Sequence, residues 1–271
     1  MKIKTRNIIF SSLMFISLLI LVGYGIFFGI RLFTAEISLP KNIPSSYPKG
    51  FFLTECNIYA IITSIFLLLI YDFSFLVFIN VEFEKTQSSE IIYFVMFLFS
   101  VLMEHHRLIT PIFNLWENSN RLQIFVTNSL IFGRTVAPLS LLFSVIFSSS
   151  ESRQYTEQTL IGIAVFSLFI ATLVPVNTNL VLPIGTLRIG FGKMIYFMLM
   201  IVFIVAIISQ IIKKVLNHSD AKLLAGFIFL IAGYFILIQS FSILTTVLGA
   251  VPLYAGTYTY LKALHSQYLW N

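Results

Sequence analysis

Charge is what this sequence has least of. Asp, Glu, Lys and Arg together make up 10% of its 271 residues, where soluble domains carry about a quarter, so a water-facing surface cannot be assembled from it. Cysteine is scarcer still: Cys56 stands alone, which excludes an intrachain disulfide framework. No polar stretch exceeds roughly 20 residues, well short of the about 50 that a folded aqueous domain needs. Catalytic motifs are missing too. No glycine-rich phosphate loop, H-E-x-x-H, G-x-S-x-G or C-x-x-C occurs, and the last apolar run holds no lysine for a Schiff base. A nucleotide-driven enzyme or a covalent-nucleophile hydrolase is therefore not expected, nor is a cofactor.

What is present is apolar bulk. Hydrophobic residues make up 58% of the chain and aromatics 16%, including 29 Phe, with a mean hydropathy of +0.94. A helix crossing a hydrocarbon core of about 30 Å needs about 20 such residues. Seven runs qualify, near 8–30, 53–79, 91–110, 122–147, 159–182, 194–213 and 223–250. They are apolar on every side, whereas barrel strands alternate, and a bilayer requires each segment to satisfy its own amides. The expected fold is an all-α, polytopic membrane helix bundle. Residues 1–271 form one transmembrane domain, with 252–271 as a juxtamembrane tail. Ser219 or Asp220 is placed to cap the last helix. A cleaved signal peptide at MKIKTR would leave six spans, but the run exceeds the roughly 7–15 residues of a signal core and no small-residue site follows.

Positive charge near span ends marks the cytoplasmic side, and here it divides evenly. Lys2, Lys4, Arg6, Lys85, Arg153, Lys213, Lys214 and Lys222 fall on one side. Arg31, Lys41, Lys49, Arg107, Arg121, Arg188, Lys193 and Lys262 fall on the other. The three cations before the first span favour a cytoplasmic N-terminus, while a tail helix serving a cytoplasmic partner argues the reverse. The net charge of +6 suits an anionic membrane surface and, split between two faces, gives no argument for nucleic acid.

Ionisable residues inside spans are costly and mark sites by default. Arg134 lies in the fourth span, with Asn128 upstream and Pro138 downstream; Asp72 lies in the second. A buried Asp72–Arg134 pair would gate the bundle or hold two helices in register. Glu55, Glu104, His105 and His106 carry metal-ligand atoms near one membrane face, beside Arg107. Adjacent helical histidines point about 100° apart and cannot share a metal as an i, i+4 pair does, so interfacial solvation explains them as well. A third group closes the fifth span, where Pro175 and Pro183 bracket Asn177, Thr178 and Asn179. Interrupted helices of this kind line ion and substrate sites in transporters. Gly226, Gly233 and Gly249 with neighbouring Ser and Thr supply a close-packing face.

The tail YLKALHSQYLW places Leu261, Leu264 and Tyr268 on one helical face. Seven spans followed by such a tail resemble the seven-helix N-terminal regions of bacterial membrane sensors, which pass a signal from the last helix to a cytoplasmic output module. No output module follows, so the resemblance implies a protein partner that contacts Leu261, Leu264 and Tyr268. The expected function is a non-enzymatic sensor-like or partner subunit of a bacterial inner membrane, with the lipid bilayer and a small ligand or ion as further partners. The rival is a small carrier or channel component with a polar path near Arg134, Asn177 and Asn179. A metal-dependent membrane enzyme on Glu55, Glu104, His105 and His106 is the third.

Overall fold

The computed structural model describes residues 3–34, 53–86, 88–116, 121–147, 155–217 and 220–269. The apolar runs fold as helices: α1 (Ile3–Phe33), α2 (Ile58–Glu82), α3 (Ser89–Leu102), α4 (Arg121–Ile146), α5 (Thr156–Leu173), α6 (Gly192–Asn217), α7 (Ala221–Ile238) and α8 (Ile243–Leu269). A 3-10 segment, Met103–Leu108, and one further turn, Ile109–Ile112, prolong α3. Among the described residues, seven helical stretches are long and apolar enough to cross a membrane, so the chain reads as an integral, multi-pass α-helical protein. Asn57 caps α2 by accepting from the Tyr59 amide at 2.8 Å. Asp220 caps α7 by accepting from Lys222 at 3.1 Å, and Ser219 lies outside the described residues.

The seventh expected span, 223–250, is in fact two helices. α7 ends at Ile238 and α8 starts at Ile243, with Ser242 as the start signal: its hydroxyl accepts from the Thr245 amide at 3.3 Å, as N-cap serines do. The turn between them is stitched to the segment before α2, Phe241 accepting from Asn57 and Leu244 donating to Leu53, each at 3.0 Å. Over 27 residues, or about 40 Å, α8 then runs back along α7. Glycines let the backbones meet: a Cβ on Gly226 would lie 2.6 Å from the Tyr260 nitrogen, and one on Gly233 would collide with Leu253.

The tail is therefore no free juxtamembrane helix. Leu261 and Leu264 are wholly buried in the same core as Phe94, Phe227 and Leu230, so the apolar face read from the sequence is spent on the chain's own helices. Tyr268 reaches Glu90 in the first turn of α3. α8 is not among the seven stretches apolar enough to cross a membrane, yet by running back along α7 it brings Leu269 to the end of the bundle that holds Ile3, so Lys262 changes side and the even division of cations becomes nine against seven.

Burial is uneven. In the most apolar stretches of α3 and α4, 72% and 67% of residues are buried, against 11% for α1. Both α5 and α6 pack on α4 rather than on each other. Between them runs an antiparallel hairpin, β1 (Val176–Val181) and β2 (Leu187–Ile189), paired Val176 to Ile189 and Asn177 to Arg188, with a bulge before Val181 meets Leu187. The interrupted helix expected from Pro175 and Pro183 is this hairpin. Val174 is already extended, as a residue before proline prefers.

Candidate functional site

Beneath the hairpin, α3 and α4 bring three charged side chains together inside the bundle. Gly133 makes the approach: a Cβ there would lie 2.8 Å from Cβ of Met103, so a larger residue would push α4 off the segment that carries Glu104. One residue on, Arg134 grips Glu104 with both arms of its fork, Nε to Oε1 at 2.7 Å and Nη2 to Oε2 at 2.9 Å. This two-point geometry suits guanidinium and carboxylate. The remaining nitrogen, Nη1, donates to the Tyr196 hydroxyl of α6 at 2.7 Å. Pro138, one turn further, has no amide to give the Arg134 carbonyl.

Arg107 joins from three residues beyond Glu104, its Nη1 donating to Oε2 at 3.3 Å and its Nε to the Ile184 carbonyl at 2.9 Å. Both arginines also donate to the carbonyl of Ile238 at 3.3 Å. That carbonyl belongs to the last residue of α7, where the helix dipole is negative. Two guanidinium groups thus share one carboxylate with almost no exposure: Arg107 0%, Glu104 1%, Arg134 4%. The formal excess is one positive charge, partly offset by carbonyls. Nη2 of Arg107 has no hydrogen-bond partner.

The hairpin tip seals this cluster. Residues 183–187 are buried. Gly185, at φ +85°, brings the turn so close that a Cβ would lie 2.8 Å from the Arg107 carbonyl oxygen. Thr110 donates to the Gly185 carbonyl at 2.7 Å, and Thr127 accepts from the Leu187 amide at 3.1 Å. Outside the tip lies a cavity of about 630 Å³ lined by Asn177, Thr186, Arg188, Gly192, Lys193 and Tyr196, among others. Tyr196 belongs to both places, bonded to Arg134 on one side and facing the cavity on the other.

The expected Asp72–Arg134 pair does not form, because α2 packs on α1, α3 and α8 while Arg134 is committed to Glu104. Asp72 is wholly buried beside Ser17 of α1, and neither carboxylate oxygen makes a hydrogen bond of normal geometry. Asn128 is half-buried on α4, apart from the cluster, with its Oδ1 unbonded. Asn177 is brought to the cavity, whereas the Asn179 side chain lies outside the described residues. The candidate metal group does not assemble. Glu104 turns to the arginines. Nδ1 of His105 pairs with the Leu102 carbonyl, and Nδ1 of His106 with that of Met103 at 3.0 Å. Glu55 is exposed on the loop before α2. Burial, and then the Glu55 charge, push the neighbouring Cys56 thiol above its ordinary pKa. Among the described residues no three His, Cys, Asp or Glu side chains converge.

No family model, curated protein or solved structure matches the chain. The site has to be read from its own geometry, and that geometry includes a second network at the other end of the bundle. There Glu90 of α3 takes Lys213 of α6 at 2.5 Å and accepts from Tyr268 of α8 at 3.0 Å, with Ser88 donating to the same tyrosine at 2.8 Å. Arg6 donates to the carbonyls of Phe83 and Glu84 at 2.9 and 2.7 Å, tying α1 to the turn that follows α2. Sequence reasoning missed Tyr196 and Glu90 entirely. The i, i+3 spacing of Glu104 and Arg107 was the one available signal for the cluster.

Proposed function

We propose that this chain is a non-enzymatic, receptor-like protein of a bacterial inner membrane. It binds an anionic ligand at the hairpin end and passes the event to a partner at the Glu90 end. What carries the reading is the way α6 is tied. In its most apolar stretch only 17% of residues are buried, yet it is bonded at one end through Tyr196 to Arg134 and at the other through Lys213 to Glu90. Those two residues lie about 25 Å apart on one stiff helix, so a pull on Tyr196 is felt at Glu90.

The preference for an anion follows from the excess positive charge of the Glu104 cluster and from Arg188 and Lys193 at its mouth. The nine-to-seven division of cations favours a cytoplasmic location for the Glu90 end. A carrier has less support, since a polar path would have to cross the buried Phe94, Phe97, Leu98, Phe227 and Leu230 between the two networks.

The test labels the far end. In the full chain carrying Cys56→Ala and Leu216→Cys, a nitroxide at 216 is expected to change its spectrum as inorganic phosphate is added to protein in phosphatidylcholine nanodiscs. Tyr196→Phe is expected to remove the change. A spectrum that ignores saturating phosphate, or an equal response in Tyr196→Phe, overturns the reading.

A further inference from the structure

We infer that the ligand is an anionic lipid, held with its phosphate in the cavity at the start of α6 and its hydrocarbon chain in the cleft between α5 and α6. This rests on the anion-binding reading above and names its ligand class. The two spaces adjoin, sharing Phe191 and Met194 as a common wall.

The upper space has the donors that a phosphate monoester needs. Arg188 and Lys193 are exposed at its rim with no acidic partner among the described residues. Because the Tyr196 oxygen accepts from Arg134, its own O–H is left to donate inward. Gly192 and Lys193 open a helix of 26 residues whose first turn carries the positive end of its dipole, although the Met194 and Ile195 amides are already taken by the Phe191 carbonyl at 2.9 and 3.0 Å.

The lower space is of the opposite character. It is a cleft of about 480 Å³ whose walls include Leu139 of α4, Phe166 and Ile170 of α5, and Met198 and Val202 of α6. The Thr135 hydroxyl at its edge is already committed to the Ile131 carbonyl at 2.7 Å. From Gly192 to Val202 the cleft descends about 15 Å along the helix, which matches one leaflet of a hydrocarbon core roughly 30 Å thick.

A free phosphate would fill only the upper space and a neutral lipid only the lower. An anionic lipid with its head in the upper space and one of its chains in the lower uses both at once, at the depths where a bilayer already presents them. Phe191 stands at the junction, 74% exposed and at φ +54°, a conformation that bulky residues rarely adopt. Its ring sits where head and chain would meet.

The experiment uses the purified full chain in neutral maltoside micelles and follows ligand retention by native mass spectrometry and by Tm. Four probes are compared: inorganic phosphate, dihexanoyl phosphatidic acid, dioleoyl phosphatidic acid and dioleoyl phosphatidylcholine. The expected order is dioleoyl phosphatidic acid at least tenfold tighter than the dihexanoyl form, phosphate weaker still, and phosphatidylcholine not retained. Arg188→Gln with Lys193→Gln, both at exposed positions, should weaken dioleoyl phosphatidic acid at least tenfold, and Met198→Trp should erase the gain from chain length. If phosphate binds but chain length adds nothing, the lipid assignment falls and the anion reading stands. If phosphatidylcholine is retained as well as phosphatidic acid, or the double variant binds unchanged, the assignment also falls. If none of the four binds, both readings fall.

Discussion

Two carboxylates at opposite ends of one span do different work. Glu90, in the first turn of α3, meets a lysine and a tyrosine at an interface where the Lys213 side chain keeps 17% of its exposure. Glu104, fourteen residues or about 21 Å further along, is enclosed by two arginines at 0% and 4% exposure. Glu90 is itself buried, at 3% exposure, but its partner is a lysine on a flexible stem that keeps a route to water and can change partners at lower cost than a locked guanidinium. A guanidinium fork locked on a buried carboxylate cannot, because either group left alone would be an uncompensated charge in a dry interior. The Glu104 cluster is therefore the stiffer of the two networks, and the Glu90 network the one with more freedom to exchange partners.

The largest effect tests whether the two ends are assigned to the right sides. Because α8 turns back along α7, a reporter fused after Asn271 should be active on the same side of the membrane as one fused before Met1. Opposite sides would mean that the last helical pair does not cross twice. Next comes stability. Glu104→Gln leaves two buried arginines without a carboxylate and should cost about 3–5 kcal/mol, whereas Glu90→Gln strands one lysine that keeps 17% exposure and should cost less, about 1–2 kcal/mol. Denaturation in detergent, monitored by circular dichroism, measures both, and equal losses would erase the distinction between a fixed end and an adaptable one.

Within the cluster the arginines are also unequal. Arg134→Met removes two direct bonds to Glu104 and strands the carboxylate beside Arg107, at a cost of about 3 kcal/mol. Arg107→Met removes the surplus charge and the unpartnered Nη2 while Glu104 keeps its two-point grip, so its cost should be less than half as great. The same unfolding series decides the matter, and a larger loss for Arg107→Met would show that Arg107, not Arg134, holds the carboxylate.

The helices were legible because apolar runs of sufficient length leave a bilayer no other solution. The end of α7 was not, because Gln239, Ser240 and Ser242 are too few to interrupt a hydropathy profile, although Ser242 before Ile243 carried a cap signal. The hairpin was hidden for a related reason: Pro175, Asn177 and Pro183 announced a break, but pairing between Val176 and Ile189 is a tertiary outcome. Arg134 stood out as costly, and its partner was misassigned because depth along a span is a one-dimensional measure. Asp72 and Arg134 sit on helices kept apart by α3, a fact no spacing reveals. The stripe Leu261, Leu264 and Tyr268 was correctly apolar, and only the identity of the surface it covers required the fold.

The smallest expected effect lies at Tyr268, where stability and coupling separate. Its hydroxyl accepts from Ser88 and donates to Glu90, but Glu90 keeps Lys213 without it. Hydrogen bonds within membrane proteins average about 0.6 kcal/mol, so Tyr268→Phe should shift unfolding by no more than about 1 kcal/mol. If the Glu90 end is where α6 reports to a partner, the same variant should alter the phosphate response of a nitroxide at residue 216, since α8 would no longer share the carboxylate that Lys213 holds. A loss of stability as large as that of Glu104→Gln would make Tyr268 a fixed strut. An unaltered nitroxide response would leave α8 out of the path from the hairpin to the Glu90 end.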